Sequence, residues 1–524
     1  MSVELIKKPI ILDEMTRKES VQVIKERDLI VPDGKPDMQS VIQLDGKVVM
    51  DQVDVTQDRI MYRGRIDVCI LYRAVNNPKC TYTMKGTIPI EDFVIMDGIN
   101  KDQRVDFDCE IEHMSYNILN ERKINVKAML QIEVDATGCK DTAIITEVKT
   151  DYPIQVKEEQ IEIVSLGDEK EDKVIVKEDL TIPQSKPAIC EILKTNVQIK
   201  EDQVKRTDSE IKYNGMIEVT TMYKPVEDED DIQIVSHRMP FEGSIENQKA
   251  DNEVFWNCTL DVEPSFIEVA ADYDGEDRII ECECIVTAKY STYNKDTYDT
   301  VSDIYCPGKM VKTKEQTLDY MNLLDKIELA IPKKEAIPIT ANPEDTLEVF
   351  SVDIKPTIEE KNIENGKLGI KGLLEIKTIC INKSEEGNDI NTMVNVVPFS
   401  QEMDIKEVPG KAYVASSVEA KDVNVYAQTK KELVVEYILD YVTELFGAAR
   451  LNVLEEIDIE NMSKEEMDAF PSMTVYQVKK GDTLWNLAKR FNTTVSDIQE
   501  INGIDIPENL REGQKIIILK KVRF

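Results

Sequence analysis

At 524 residues, with 41% apolar, 6% aromatic and 32% charged side chains, the chain is too long for one hydrophobic core and too apolar to stay disordered, so several folded domains are expected. A formal charge of −36 opposes polyanionic partners, which excludes nucleic acid as a ligand and argues against direct membrane insertion. The charge is unevenly placed: residues 474–524 hold nine Lys/Arg and six Asp/Glu, a net of +3, which leaves −39 on residues 1–473.

The first nineteen residues mix Lys7, Lys8, Asp13 and Glu14 with short apolar pieces and lack a signal peptide's apolar run. No stretch reaches the ~20 consecutive apolar residues of a membrane span. The protein is therefore expected to stay in the cytoplasm, where it is made. Ten cysteines without a CxxC pair suit a reducing compartment, and neither a disulfide framework nor a zinc site is expected. The closest pair, Cys282 and Cys284, alternates with Glu281 and Glu283, which places both thiols on the apolar face of a strand with Ile280 and Val286.

Self-similarity organises the body. Asp28-Leu29-Ile30-Val31-Pro32 with Lys35-Pro36 returns 151 residues later as Asp179-Leu180-Thr181-Ile182-Pro183 with Lys186-Pro187. The same offset relates Gly64 to Gly215, Tyr72 to Tyr223, and Pro89-Ile90 to Pro240-Phe241. A third, drifted copy carries Glu328-Leu329-Ala330-Ile331-Pro332, Gly372 and Pro398-Phe399. Within each copy apolar residues alternate with polar ones, as in Ile124, Val126, Ala128, Leu130, Ile132 and Val134, and in Ile66, Val68, Ile70 and Tyr72. A period of two with one wet face predicts antiparallel strands, hence a mainly β chain of three β-sandwich-like repeats. The expected domains are 1–150, 151–308 and 309–449, with the three repeat glycines at the starts of equivalent strands.

Two charge runs read as solvated connections. Glu227-Asp228-Glu229-Asp230-Asp231 lies between two strands of the second copy and is expected to be a hairpin loop; it lacks a glycine-bearing calcium-loop pattern. Residues 450–473, with seven acidic residues and Pro471, read as an acidic linker with a short helix near Ser463 to Ala469.

Residues 474–524 read differently. Tyr476 to Trp485 predicts a strand, a glycine turn and a helix capped by Asp482. Leu484, Leu487, Ala488 and Phe491 then form one helical stripe, with Trp485 at its edge. A second helix starts at Thr494 with Asp497 as capping partner, buries Val495, Ile498 and Ile501, and stops at Asn502-Gly503. Ile516 to Leu519 closes a small β-α-α-β α/β domain.

That pattern, with Gly481-Asp482-Thr483-Leu484-Trp485 and Gly513-Gln514, resembles the LysM domain. The repeats resemble SPOCS domains, and the combination is similar to the SipL-like family of clostridial spore-coat morphogenesis proteins. The resemblance implies a mother-cell assembly scaffold that binds the coat-basement ATPase SpoIVA through its LysM domain, concentrates at the forespore surface and recruits other coat proteins. The expected docking surface centres on Trp485, with Tyr476, Lys479, Asn486 and Lys489 as neighbours. An aromatic at a core border supplies a large buried contact, and lysines steer toward an acidic partner.

Two other classes compete. LysM domains also bind N-acetylglucosamine polymers, so peptidoglycan binding is the rival reading; the lack of an export signal favours a protein ligand. An enzyme is the other. His113 and His237 sit in strand segments without a Ser or Cys motif, and there is neither a phosphate loop nor a nucleophile elbow. No catalytic residue, metal or cofactor is therefore expected.

Overall fold

Every inward residue of the Lys123–Thr137 strand is buried: Ile124, Val126, Ala128, Leu130, Ile132 and Val134 are each 0% exposed. The five larger side chains leaving water at about 1.5–3 kcal/mol apiece, with Ala128 adding less, explain why the alternation holds over so long a strand. The computed structural model describes the chain apart from residues 1–2, 14–16, 102, 229, 340–345, 385–386, 407–411, 430–431, 507–509 and 521–524.

Each repeat is a pair of three-stranded antiparallel sheets facing across an apolar core. In the first, the meander Met38–Thr56, Arg59–Ala74, Thr81–Ile95 faces a sheet whose middle strand, Lys123–Thr137, lies between Arg17–Ile30 and Arg104–Asn120. The second repeats this with the meander Ile189–Arg206, Glu210–Pro225, Gln233–Glu246 against Gln155–Thr181, Asp277–Tyr305 and Glu253–Ala271. The third uses Thr346–Glu364, Lys367–Ser384, Gly387–Asp404 against Lys309–Pro338, Glu432–Asn461 and Ala412–Thr429.

Gly64, Gly215 and Gly372 occupy the same place in the middle meander strands, six residues in rather than at the start. The reason is local. Opposite each, the neighbouring strand shifts register, at Met50/Gln52, Lys200/Gln203 and Ile358/Glu360. The bulge drives backbone into the space a side chain needs. A Cβ on Gly64 or Gly372 would collide with the carbonyl oxygen of Val49 or Thr357, and one on Gly215 would lie 2.8 Å from the Phe241 ring.

The third copy of the Leu-Pro motif is placed differently from the sequence expectation. Leu29 pairs with Ile124 and Leu180 with Ile280, and the residue in that role in the third repeat is Ile337, paired with Leu433. Leu329 pairs instead with Tyr441, farther along the same ladder. The expected linker also needs correction: Arg450 to Asn461 continue the Glu432–Asn461 strand, paired with Lys309 to Asp319. Acidic side chains line its wet side while Val453, Leu454 and Ile457 are buried. The connection to the last domain is shorter, and its helix, Lys464–Asp468, is capped by Ser463 in a capping box with Glu466.

Beyond the sandwiches, three ribbons run on and pack together. Glu4–Asp13 pairs with Cys139–Lys149, Gln155 to Leu166 with Tyr293 to Tyr305, and Lys309 to Leu323 with Phe446 to Asn461. Ile10, Leu12, Ile144, Ile163, Leu318, Tyr320 and Val453, drawn from all three ribbons, share one core. A second shared core lies between the meanders: Leu71, Met222 and Ile379 are equivalent, spaced by 151 and 157 residues, and meet Leu193 and Phe350. Beside this plug the Asp45 carboxylate of the first repeat accepts from Lys194 of the second and Lys377 of the third. The three repeats thus pack around a common centre.

The charged hairpin bridges repeats. Asp230 accepts from Asn77 Nδ2 at 2.7 Å, and Asp231 accepts from Asn388 at 2.5 Å; Glu229 lies outside the described residues. Cys282 and Cys284 face the core as free thiols, their sulfurs 3.7 Å apart and sharing a weak hydrogen bond. His113 is exposed, and His237 Nε2 lies 3.0 Å from the Thr181 carbonyl oxygen.

Candidate functional site

The last domain is built as a β-α-α-β unit: Met473–Gln477 pairs antiparallel with Lys515–Leu519, and the Leu484–Arg490 and Val495–Asn502 helices pack beneath. Its core is Val478, Leu484, Leu487, Ala488, Ile498, Ile504, Ile516 and Ile518. Gly481 (φ 88°) allows the turn into the first helix, where a side chain would be strained. The cap of that helix is Thr483, whose hydroxyl accepts from Asn486 N at 3.1 Å. Asp482, expected as the cap, turns back one residue too early for that role: its Oδ2 accepts from Lys479 N at 2.7 Å and from Tyr476 OH at 3.0 Å. The second helix is capped by Thr494 with Asp497 and stops at Gly503 in the left-handed region, as the sequence implies. It buries Ile498 and half-buries Val495, but Ile501 is 40% exposed because it lies on the outer side of the helix.

The five residues singled out in the sequence separate into two groups. Tyr476 and Lys479 gather around Asp482; the Tyr476 ring lies edge-on to Phe491 at 5.5 Å, and the Lys479 side chain is exposed. Trp485 and Lys489 face the second repeat. Trp485 Nε1 donates to Asp303 Oδ2 at 2.8 Å, and Lys489 Nζ donates to Asp303 Oδ1 at 2.6 Å. The indole meets the Tyr305 ring edge-to-face at 5.0 Å. Asn486 is exposed and belongs to neither group.

Asp303 and Tyr305 lie at the end of the second repeat's ribbon, where the chain turns into the third. Tyr305, 5% exposed, belongs to the core cluster of the last domain. Just beyond the turn, Gly308 N donates to Asn492 Oδ1 at 2.8 Å. Burial pushes the Asp303 carboxyl up, but the hydrogen bonds from Lys489 and Trp485 outweigh it and hold the group below the ordinary carboxylate range. Sequence reasoning missed Asp303, Tyr305 and Asn492, because nothing local marks a contact partner some 180 residues away.

It also missed the outer face of the two-stranded sheet. Met473 and Val475, each 62% exposed, stand opposite Leu519 and Ile517, 40% and 41% exposed. Lys515, opposite Gln477, borders this apolar strip. Among the described residues, no group of three or more His, Cys, Asp or Glu side chains could hold a metal ion, and no helix is long and apolar enough to cross a membrane.

Comparison with known proteins agrees with this architecture. The family model described as SipL, SPOCS domain matches residues 37–119, 188–272 and 345–427, each match beginning at a meander and running into the following strand. The LysM domain model matches residues 476–519. Among curated proteins, the "Cortical fragment-lytic enzyme" of Bacillus subtilis (strain 168) is 48% identical over 46 residues, 9% of this chain and 11% of that protein. The "N-acetylmuramoyl-L-alanine amidase XlyA" of the same organism is 46% identical over 43 residues, 8% of this chain and 14% of that protein. Both likenesses are confined to the LysM region, so the chain spans only a small part of these relatives. No solved structure matches. The matched families are binding domains rather than catalytic ones, and the SipL SPOCS match relates the chain to sporulation. Three SipL-type SPOCS domains followed by one C-terminal LysM domain make this chain a protein of SipL-like architecture.

Proposed function

We propose that the chain is a non-catalytic assembly scaffold of the spore coat, whose LysM domain docks on a SpoIVA-like coat ATPase while the triple SPOCS body presents it at the forespore surface. The observation that carries this reading is the joining of three SPOCS domains to one LysM domain in a single chain. The reading carries with it the mother-cell cytoplasm as location and other coat proteins as further partners. The docking surface is centred on Trp485, with Tyr476, Lys479, Asn486 and Lys489 around it. The slightly basic module suits an acidic protein partner, and the exposed strip of Met473, Val475, Ile517 and Leu519 suits apolar protein contact.

The test is the affinity of the full chain for purified SpoIVA. Replacing Trp485 with Glu should weaken it by ~2 kcal/mol or more, the scale of an interface hot spot. Undiminished binding by a folded Trp485→Glu protein would remove the residue from the interface. A second reading, binding to an N-acetylglucosamine polymer, draws on the 46–48% identity of the LysM stretch to two proteins named as a cortical fragment-lytic enzyme and an amidase. Co-sedimentation of the chain with insoluble peptidoglycan decides it; retention there, with no affinity for SpoIVA, would replace the first reading.

A further inference from the structure

Trp485 and Lys489, two of the five residues assigned to docking, are already occupied by the chain itself. One carboxylate, Asp303, takes the indole N–H at 2.8 Å and the ammonium at 2.6 Å, and is itself oriented by the Ile304 amide at 2.8 Å. Tyr305 fills the space beside the indole and completes the apolar cluster of the LysM domain. We propose that this contact is a releasable latch: the end of the second repeat's ribbon masks the Trp485 face of the LysM domain, and a protein partner gains that face by displacing Asp303 and Tyr305. The proposal rests on the reading that the Trp485 face docks a protein.

Three features make the contact separable rather than part of a fixed core. The LysM domain has a core of its own, in which Leu484, Leu487, Ala488, Ile498, Ile516 and Ile518 are buried, so it keeps most of its packing when it leaves. The charged part of the contact is an ion pair whose side chains are 46% and 29% exposed, and such pairs contribute little net stability. The contact also buries polar atoms at a loss. Tyr305 OH and Asn492 Nδ2 have no hydrogen-bond partner among the described residues, each a penalty that opening to water removes. Residues 462–472, which carry only the one-turn helix, join the module to the body and keep the released domain nearby.

The chain has two tryptophans, so a Trp256→Phe background makes Trp485 the sole indole reporter. In the full chain, Asp303→Lys sets two cations against each other. We expect a red-shifted Trp485 emission, faster hydrogen exchange at the Gly308 amide, and about tenfold tighter binding to purified SpoIVA as the competent fraction rises. The exchanged pair, Asp303→Lys with Lys489→Asp, re-forms the ion pair but leaves the indole N–H without its carboxylate acceptor, so it should restore part of the emission and of the exchange protection, which a misfolded single variant would not do. Unchanged emission and exchange in Asp303→Lys would overturn the latch whatever the partner. An opened latch with unchanged SpoIVA affinity would overturn the masking role. Absence of SpoIVA binding in both wild type and variant would overturn the docking reading and the masking with it, while emission and exchange would still decide whether the domain is held in cis.

Discussion

Trp485 and Asp303 are 182 residues apart in sequence and joined by a 2.8 Å hydrogen bond, so one indole ties the last domain to the middle repeat. Trp485→Phe keeps a ring against Tyr305 and deletes the donor. Hydrogen bonds to a charged acceptor contribute about 1.5–3 kcal/mol, and partial exposure of Asp303 puts this one at or below the lower end. The LysM module should remain folded while Gly308 loses exchange protection by ~1 kcal/mol. Full protection in that variant would show that the ring contact alone holds the domain.

The same carboxylate sets a pH dependence. Asp303 is held below the ordinary carboxylate range in the folded chain, so its contribution is fully present above the unfolded value of about 4 and is lost as pH falls through the lower folded value. The groups facing it are Lys489 and Trp485 from the LysM domain and the amide of Ile304 from its own strand. Trp485 emission should therefore be flat from neutral pH to about 5 and shift only in more acid solution. A transition near pH 6 to 7 would point to another group.

The repeat glycines are equally testable. Gly64→Ala and Gly372→Ala each drive a Cβ into a backbone carbonyl oxygen, which cannot swing aside as a side chain can. We expect a loss of ~2 kcal/mol or more for each, in the range of overpacked cores. Gly34→Ala, with open space around the new methyl group, should be close to neutral. Equal, small effects at all three positions in chemical denaturation would mean that the bulged strands relax freely.

Much of this fold was readable in the sequence, for a physical reason: a half-buried strand must alternate, and strands of fifteen residues repeat that signal many times. Where one face was not purely apolar the reading slipped. Leu329-Ala330-Ile331-Pro332 imitates Leu180-Thr181-Ile182-Pro183, yet pairing puts Ile337 opposite Leu433, the place Leu180 holds opposite Ile280. The LysM core followed from helical spacing. Its contact with Asp303 did not, because position along a chain says nothing about which ribbon end a small domain will meet.

The plug between the meanders predicts cooperativity. Phe350 is 4% exposed among Leu71, Leu193, Met222 and Ile379, so truncation to Ala should cost ~3–5 kcal/mol. That loss falls on the junction of all three repeats rather than on one. Calorimetry should show one body transition in the wild type, and in Phe350→Ala either a lower or a split one. A local change that leaves the melting of the first two repeats untouched would contradict the shared core.

The boundary between body and LysM domain has a direct consequence for deletion experiments. Composition places the boundary near residue 450, where the chain turns acidic, but Arg450 to Asn461 are paired with Lys309 to Asp319. Val453 belongs to the core shared by the three ribbons, and Leu454 and Ile457 pack with Ile145, Val301 and Ile304. Removing these side chains strips three buried apolar groups, at about 2–5 kcal/mol for each large one, and leaves the Lys309–Pro338 strand without its partner over that stretch. A protein ending at residue 449 should therefore be strongly destabilised or aggregated. One ending at residue 462 keeps the ladder and should melt close to the full chain, apart from the contribution of the LysM contact. Thermal melting and gel filtration of the two truncations decide it. If both fold equally well, the distal ribbon contributes nothing to the body and its shared core is not a stability element.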